Sequence, residues 1–586
     1  MRREILFITT LIILFTGCRE EEQPVVTLLS TTDIHGAFFP YDFINDRETS
    51  NSLANVSEYV NRLRDSGRSV ILLDNGDILQ GQPEVYYYNY VDTVTEHLCA
   101  SILNYMGFDA ATVGNHDIEA GPAVYEKLRE QYNFPMLAAN IVDADGNCWF
   151  EPYTIIERNG LRIAIMGLIT TSVPDWLPPS LYEGMYFENM TTTAALRMEE
   201  IMAEEPDLVV GLFHSGWGRG GENPPPGNST SAVAWHVPGF DIIFAGHDHS
   251  TANMRYINSA GDTVVILNAG ARASHVARAD IYSVSDAEGE VKSHFRIESS
   301  LDAISPYPAD ATFIERFSEQ FYTVKGWVNR VIGYSPATIS TRGALFGQSE
   351  FMNIIHDVQL EISGTDISFA APLSFNAAID SGELRRGDMF KLYRFENMLY
   401  TMEMSGEEVK GFLESSYGRW FNTVSDTGDY ILNYRTDSEG NVVLRGGRAR
   451  VREQVYNFDS AAGIKYTVNV TAEPGSRINI LSLIDGTPFS ADSLYRVAIN
   501  SYRASGGGRH IRDGAGLTPD QVQSRIISVS ERDLRHHITR WVEERGTIAS
   551  SRPLEWRVIP EQYLRSAVER EYPLLYGYMP ENITIW

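Results

Sequence analysis

The sequence Ser69-Val70-Ile71-Leu72-Leu73-Asp74-Asn75-Gly76-Asp77 is the most informative about the fold of this chain. A short, continuous apolar run ends abruptly in polar residues around a glycine, which is typical of a strand buried on both faces. The same arrangement recurs in four other places in the first half of the chain. The five apolar runs are Val25–Ser30, Ser69–Leu73, Ala110–Val113, Leu208–Phe213 and Asp241–Ala245.

Amphipathic stretches lie between several of these runs, and Leu53–Ser66 and Ala123–Tyr132 are predicted to be helices. Strands that alternate with helices indicate a layered α/β core. In open sheets of this kind, groups placed just past the strand ends converge in one crevice. We therefore expect the polar motifs at the ends of the runs to meet in one site.

The polar motifs supply nitrogen and oxygen donors suited to metal binding. The seven donors are Asp33, His35, Asp77, Asn115, His214, His247 and His249. This mixture of imidazole, carboxylate and amide favours zinc, manganese, iron or cobalt over calcium. A carboxylate such as Asp77 can bridge two cations, and such a pair clamps a phosphoryl group. The sequence therefore predicts two divalent metal ions, without deciding their identity.

The ordered series Asp-x-His-Gly, Gly-Asp, Gly-Asn-His-Asp, His-Ser-Gly and Gly-His-Asp-His resembles the signature of the calcineurin-like metallophosphatases. The resemblance implies a four-layer αββα sandwich. It also implies two ligand sets that share Asp77. The first is Asp33, His35, Asp77 and His249, and the second is Asp77, Asn115, His214 and His247.

The resemblance further implies that His116 contacts the phosphate rather than a metal, as a stabiliser of transition-state charge or as a proton donor. Nucleotidases of this family place an aspartate three residues after this histidine to orient it. This chain has Glu119 there instead. The orienting residue is therefore Glu119 or, as an alternative, Asp117.

The second half of the chain has a different pattern of predicted elements. Ser305-Pro306-Tyr307-Pro308 breaks the pattern, and Ala311–Val331 is predicted to be one helix. Further strand-like and helical segments lie beyond it, so a second α/β domain is expected. The strand-like segments are Ile367–Ala371, Met389–Tyr393, Asn441–Leu444, Lys465–Val470 and Tyr495–Ile499, and the helical ones include Gly406–Ser416 and Glu531–Glu544. The predicted organisation is a signal peptide at 1–17, a metallophosphatase domain at 25–304, a helical connector at 305–333 and a substrate-binding domain at 334–586.

Three stretches of the second half resemble the C-terminal domain of the 5′-nucleotidase and 2′,3′-cyclic-nucleotide phosphodiesterase superfamily. They are Ala370–Ala377, then Tyr456–Asp459 with Gly463–Tyr466 after it, and Asn500–Gly508. The resemblance places Tyr456 or Phe458, together with Tyr502, at the two positions that sandwich a base. Such stacking contributes on the order of 1–3 kcal/mol per base. Gly506 and Gly507 would let the backbone approach the ligand closely.

Two departures from typical 5′-nucleotidases bear on the substrate. Those enzymes have a Gly-Gly-x-Arg segment where this chain has Ser374–Ala377, so Asn376 could contribute only a neutral hydrogen bond. They also have an aspartate where this chain has Gly508. Both differences resemble the branch with 2′,3′-cyclic-nucleotide 2′-phosphodiesterase and 3′-nucleotidase activity, which is the predicted function.

Three alternatives stay open on the sequence. One is a 5′-nucleotidase or nucleotide-sugar hydrolase that uses the same metals. Another is a surface nucleotide-capture lipoprotein without catalysis. The third is a metallophosphatase for another small phosphorylated compound. Hinge rotation near the connector is expected in the enzyme, because the base-binding domain must come close to the metals.

Charge and the N-terminus bear on partners and location. The chain carries 77 acidic against 48 basic residues, a net charge of −29, which disfavours binding to duplex nucleic acid. The N-terminus has the order of segments found in a secretory signal. These segments are the charged Met1–Arg3, the apolar run Ile5–Phe15 and the small residues before the cysteine in Thr16-Gly17-Cys18. Cys18 resembles a lipobox cysteine. It predicts a lipid-anchored protein of the cell envelope, on the periplasmic or the surface face of the outer membrane, whose only membrane contact is this anchor.

Overall fold

The computed structural model describes residues 23–218, 220–221, 223–284 and 295–579. The predicted signal peptide and Cys18 lie outside these residues. Within the described part of the chain, no helix is long and apolar enough to cross a membrane. Cys99 and Cys148 are both free, so these two cysteines do not form a disulfide bond.

The first domain is built on two mixed six-stranded sheets. In spatial order, the first sheet contains Phe295–Ala303, His275–Ser283, Val26–Thr31, Val70–Asp74, Ala110–Thr112 and Met136–Leu137. The second contains Thr251–Ile257, Thr263–Ala269, Ile242–Ala245, Leu208–His214, Leu161–Ile169 and Tyr153–Arg158. The central strands of each sheet are parallel. Antiparallel pairs stand at both edges of the second sheet but at only one edge of the first, because Met136–Leu137 pairs in parallel with its neighbour.

The two sheets pack face to face through fully buried aliphatic side chains, such as Leu28 and Ile71 from one sheet and Val210 and Ile242 from the other. Helices cover both outer faces. They are Leu53–Asp65, Pro83–Tyr90, Leu98–Met106, Asn115–Glu119, Pro122–Gln131, Val173–Trp176, Met190–Ala203 and Thr230–His236. Because strands buried on both faces need cover on both sides, the result is a four-layer αββα sandwich. The predicted fold class is confirmed.

The connecting segment contains two helices, Ala311–Arg316 and Ser318–Val328, so the prediction of a single helix over Ala311–Val331 is wrong. The break is at Phe317, whose φ of −102° and ψ of 15° leave the helical region. The Phe317 ring packs 4.9 Å from the Phe313 ring, centre to centre. Burial of these aromatic rings against the first domain thus decides where the helix breaks.

The second domain contains a five-stranded sheet and a three-stranded sheet. The larger sheet has the order Ser460–Ala462, Ile367–Ala370, Leu494–Asn500, Met398–Ser405 and Ile526–Asp533. The smaller has the order Ile478–Leu483, Ile464–Asn469 and Trp556–Ile559. The helices are Glu350–Ser363, Asp388–Leu392, Gly406–Trp420, Ser501–Ala504, Pro519–Arg525, Leu534–Arg545 and Glu561–Tyr576. They pack on both sides of the larger sheet and give a second α/β domain.

Short two-stranded ribbons complete both domains. They pair Tyr41–Asp42 with Arg47–Glu48, Ile141–Val142 with Tyr186–Phe187, Val331–Ser335 with Gly382–Arg385, Ile339–Ser340 with Ala378–Ile379, and Leu444–Arg445 with Arg448–Ala449.

Two strand predictions in this domain are wrong. The predicted strand Met389–Tyr393 is mostly helical, within Asp388–Leu392, and Met389, Phe390 and Leu392 are buried. Apolar residues at such spacing fit one helical turn as well as a short strand, so periodicity does not decide between them. The strand predicted at Asn441–Leu444 begins only at Leu444, because the Asn441 amide bonds the Asp437 carboxylate in a turn.

Candidate active site

The seven predicted donors lie just past the carboxyl ends of neighbouring strands and meet at one edge of the sandwich. Many of them have a left-handed backbone, with φ of 51° at Asp33 and His35, 59° at Asp77, 73° at His247 and 54° at His249. Such values are uncommon for residues other than glycine and concentrate at functional sites. The turns after the strands therefore hold these side chains at the cost of backbone strain.

Asp33, His35 and His249 form the first cluster, and their ligand atoms all lie within 4.8 Å of one another. His249 Nε2 is 2.9 Å from His35 Nε2 and 3.2 Å from Asp33 Oδ1. His35 Nδ1 is 2.9 Å from the carbonyl oxygen of Gln80. A backbone acceptor at Nδ1 favours the tautomer that leaves Nε2 free for a metal.

Asp77, His214 and His247 form the second cluster, with ligand atoms within the same 4.8 Å limit. His214 Nε2 is 3.1 Å from Asp77 Oδ2, and His214 Nδ1 is 2.6 Å from the carbonyl oxygen of Asn75. Among the described residues, the buried Oδ1 of Asn115 has no hydrogen-bond partner. A buried amide oxygen without a partner is costly, and a cation would satisfy it.

The protonation of two of these histidines suits metal binding. Burial lowers the pKa of His35 to about 3. Burial, reinforced by the nearby His214, lowers the pKa of His247 to about 4. Both rings are therefore neutral near pH 7, which is the form that binds a metal. The donor set thus fits two divalent ions.

His116 lies beside the first cluster, with its ring centre 5.4 Å from that of His35. Its Nδ1 is hydrogen-bonded to Glu119 Oε2. Burial alone would lower the pKa of His116, but the negative charges of Asp77 and Glu119 outweigh burial and raise it to about 10. His116 can therefore present a proton-bearing imidazole to an anionic ligand.

Asp117, the alternative orienting residue, has a different position. Its carboxylate accepts hydrogen bonds from the backbone amides of Gly114 at 2.8 Å, Asp77 at 2.9 Å and Ile78 at 3.0 Å. Asp117 thus ties together two of the turns that carry metal ligands. Of the two candidates, Glu119 is the residue that contacts His116.

A cavity of about 350 Å³ opens from this edge toward the second domain. The two domains contribute opposite walls. The first domain supplies Asn115, His116, Glu119, Trp176, Leu177 and His247, and the second supplies Leu373, Phe395, Asn397, Tyr456, Asn500 and Tyr502. The predicted metal donors and the predicted base-binding tyrosines therefore share one space.

Tyr456 and Tyr502 stand edge to face, with ring centres 6.2 Å apart and an interplanar angle of 87°. For a base to stack between two parallel rings, one of these rings would have to rotate. The predicted base-binding arrangement is therefore not preformed.

Arg503 contacts both tyrosines. Its guanidinium lies 5.2 Å from the Tyr502 ring centre and donates to the Tyr456 carbonyl, and it forms a buried ion pair with Asp459.

Four predicted substrate residues do not line this cavity. Phe458 is fully buried and stacks on Trp420 in the domain core, with ring centres 5.1 Å apart. Asn376 is exposed and accepts a hydrogen bond from Arg342 Nε. Gly506 and Gly507 line a neighbouring cavity of about 540 Å³ that shares Trp176 and Leu177 with the first. Gly507 also supports Tyr502, because a Cβ at Gly507 would lie 2.4 Å from the Tyr502 ring.

The sequence interpretation did not assign several residues that line this cavity, among them Phe395 and Trp176, nor the neighbouring Arg503. Phe395 packs edge to face on Tyr456, with ring centres 6.0 Å apart. Trp176 stacks on the predicted metal ligand His247, with ring centres 5.3 Å apart. Arg503 stands inside a motif that the sequence interpretation used only for its tyrosine and glycines. Phe395 and Trp176 belong to no polar motif, so spacing gave no signal for them.

Comparison with known proteins finds a different family model in each half of the chain. Residues 26–251 match the family model described as calcineurin-like phosphoesterase. Residues 331–511 match the model described as 5′-nucleotidase, C-terminal domain.

Among curated proteins, the chain is 24% identical over 606 residues to the trifunctional nucleotide phosphoesterase protein YfkN of Bacillus subtilis. The match covers 92% of this chain but only 39% of that relative's length. The chain is 23% identical over 630 residues to a 2′,3′-cyclic-nucleotide 2′-phosphodiesterase/3′-nucleotidase of Yersinia enterocolitica, with 94% of this chain and 92% of the relative covered.

Among solved structures, a putative 5′-nucleotidase from Staphylococcus aureus in complex with alpha-ketoglutarate superposes with a TM-score of 0.74 at 20% identity. The superposition covers 91% of this chain and 99% of that one. At this identity the likeness shows a shared two-domain fold.

Proposed function

We propose that this chain, which combines a calcineurin-like phosphoesterase domain with a 5′-nucleotidase C-terminal domain, is a metal-dependent hydrolase of nucleotide phosphates. One observation carries the proposal: the cavity between the domains has His116 and the metal donors on one wall and Tyr456 and Tyr502 on the other. A nucleotide has a phosphate at one end and a flat base at the other, so it matches both walls.

Different residues of the chain have different roles in the proposed reaction. Two divalent ions, held by the seven donors, would supply Lewis-acid charge and a water of lowered pKa. His116, held by Glu119, neutralises charge on the phosphate and protonates the leaving oxygen. Tyr456 and Tyr502 hold the base and fix the distance between base and phosphate. Leu177 and Leu373 line the cavity and displace water from it.

The finer proposal is that 2′,3′-cyclic nucleotides and 3′-nucleotides are the preferred substrates. Gly508 supports it, because φ is 67° there and a Cβ would lie 2.3 Å from Arg503 Nη1 and 2.6 Å from Asn457 Oδ1. This backbone therefore has no room for the aspartate that typical 5′-nucleotidases carry at this position. The name of the Yersinia relative, which aligns over most of both chains, favours the same substrates.

A substrate panel tests the proposal. Protein stripped of metal and then reloaded separately with Mn²⁺, Zn²⁺, Co²⁺ or Fe²⁺ is assayed on 2′,3′-cyclic AMP, 3′-AMP and 5′-AMP, with products separated by chromatography. We expect metal-dependent turnover that is fastest on the first two substrates. A preference for 5′-AMP would favour the 5′-nucleotidase alternative, and tight AMP binding without turnover would favour the nucleotide-capture lipoprotein.

We also propose that the chain is anchored in the cell envelope through Cys18. The order of charged, apolar and small residues before Cys18 supports this location. Expression of the chain and of its Cys18→Ala variant in a bacterial host, with membrane fractionation and lipid labelling, tests it. Labelling of the Cys18→Ala variant equal to that of the original chain would rule out this anchor.

A further inference from the structure

A second cavity between the domains, of about 530 Å³, contains none of the predicted metal ligands and none of the residues that line the substrate cavity. It lies where helix Pro83–Tyr90 of the first domain meets the end of the connector and helix Leu534–Arg545 of the second domain. We call it the arginine cavity. Neither the family resemblance nor the proposed reaction uses it.

The arginine cavity is strongly basic in a chain whose net charge is −29. Arg330, Arg386, Arg532, Arg535 and Arg540 line it, and Glu543 is the one carboxylate among the described lining residues. Among the described residues, the carboxylates paired with these five guanidinium groups are Glu396, Glu543 and Glu544, so a net positive charge remains that an anion would offset. The charge of the residues that line this cavity therefore favours binding of an anion.

Three of the five arginines already have carboxylate partners. Glu543 pairs with Arg386 at 2.8 Å and with Arg540 at 3.7 Å, in each case between a guanidinium nitrogen and a carboxylate oxygen. Arg540 also pairs with Glu544 at 3.3 Å, and Arg535 pairs with Glu396. Among the described residues, no carboxylate pairs with Arg330 or Arg532. Arg532 instead donates from its Nη2 to the backbone carbonyl of Tyr90, at 3.3 Å.

Arg535 provides an independent observation, because its side chain is buried and not fully bonded. The residue is 1% exposed, and its Nη1 donates to Glu396 Oε1 at 2.8 Å. Its guanidinium carbon lies 4.0 Å from the centre of the Phe390 ring, which fixes the plane of the group. Its buried Nη2 has no hydrogen-bond partner among the described residues. An incompletely bonded buried guanidinium at a basic cavity is expected where an oxyanion binds.

We propose that the arginine cavity binds a phosphate group, and that it does so independently of the metal centre. Guanidinium groups bind tetrahedral oxyanions through paired, charge-assisted hydrogen bonds. Unused donors are found on Arg330 and Arg532, which have no carboxylate partner among the described residues, and at Nη2 of Arg535. The phosphate is either free inorganic phosphate or the phosphate of a nucleotide.

The position of the cavity gives this binding a structural consequence. Arg330 lies just past the last helix of the connector, while Arg532 belongs to the second domain and already contacts Tyr90 of the first. In the same region, Tyr86 donates to Asp533 at 2.8 Å. A bound phosphate would therefore join both domains and the connector, and would stabilise the arrangement in which the substrate cavity is assembled.

The test uses protein freed of divalent metals, so that the metal centre does not contribute. Calorimetric titrations with inorganic phosphate, and in a second arm with AMP, compare the unaltered chain with the double variant Arg330→Gln/Arg532→Gln. The matched control is Arg62→Gln/Arg565→Gln, which removes the same charge from two exposed surface pairs.

We expect saturable binding by the unaltered chain and by the control, with affinity at least about tenfold lower in the double variant. A loss in the phosphate arm identifies the free anion as a ligand, and a loss in the AMP arm alone identifies the nucleotide. Equal affinities in all three proteins in both arms, or no saturable binding to the unaltered chain, would overturn the proposal. If the double variant does not fold, Arg330→Gln alone repeats the test, because that side chain is exposed.

Discussion

The predicted metal donors and the proposed base-binding wall, which consists of Tyr456, Tyr502 and Phe395, face each other across one cavity but are built differently. Each predicted metal donor lies at or shortly after the end of a strand, and backbone contacts such as Asp33 N to the Gly76 carbonyl, at 2.9 Å, hold these segments together. The base-binding wall depends on packing between aromatic side chains such as Phe395 and Tyr456. Positions set by the backbone are robust to sequence change, whereas positions set by side-chain packing shift with each neighbour.

The largest effect is expected at the residue that both metal sets share. Asp77→Asn removes the bridging charge, so activity should fall by roughly a thousandfold or more, since several kcal/mol of charge stabilisation are lost. Phosphate release and bound-metal content measure the change. The exposed control Asp145→Asn should alter neither, and a fully active Asp77→Asn protein would show that the cluster is not a bridged pair.

Substitution of His116 tests whether the segments that hold the metal donors also position the residue that acts on the phosphate. His116→Gln should lower kcat by about 10²–10³-fold with metal content unchanged, because the variant loses a charged donor at the phosphate. The measurement combines steady-state kinetics with metal analysis. A parallel loss of metal and activity would instead make His116 a ligand.

Glu119 acts through His116, so its effect should be smaller. Glu119→Gln should lower kcat about tenfold with little change in KM, because it removes the charge that holds the imidazole in place. Glu119→Asp, which restores the carboxylate, should recover part of the activity. An unchanged kcat in Glu119→Gln would show that this hydrogen bond does not contribute to turnover.

Substitutions in the base-binding wall should change mainly KM. Tyr456→Ala and Tyr502→Ala should each raise KM for AMP-type substrates by about tenfold, in line with ~1–3 kcal/mol per stacked base. Phe458→Ala is the contrasting variant. It should leave KM unchanged but lower the free energy of unfolding by ~3–5 kcal/mol, because it opens a cavity in the core. A KM effect at Phe458 comparable to that at Tyr456 would reverse this assignment.

Asn376 should give the smallest effect. Its side chain is exposed and bonded to Arg342 away from the substrate cavity, so Asn376→Ala should change KM by less than about twofold. Kinetics on the preferred substrate measure this. A large rise in KM would mean that the loop after Leu373 moves into the cavity when substrate binds.

The sequence alone determined the layered sandwich and the meeting of the metal donors. Strands buried on both faces produce continuous apolar runs, and topology places the turns after parallel strands at one edge of a sheet, so local patterns were sufficient there. Tertiary structure alone decided that Phe458 enters the core while Tyr456 lines the cavity, and that Glu119 rather than Asp117 contacts His116. It also decided that Phe395 and Trp176 complete the site and that arginines distant in sequence form a second cavity. The physical reason is that each of these outcomes depends on packing between elements far apart in the chain, which no local spacing encodes.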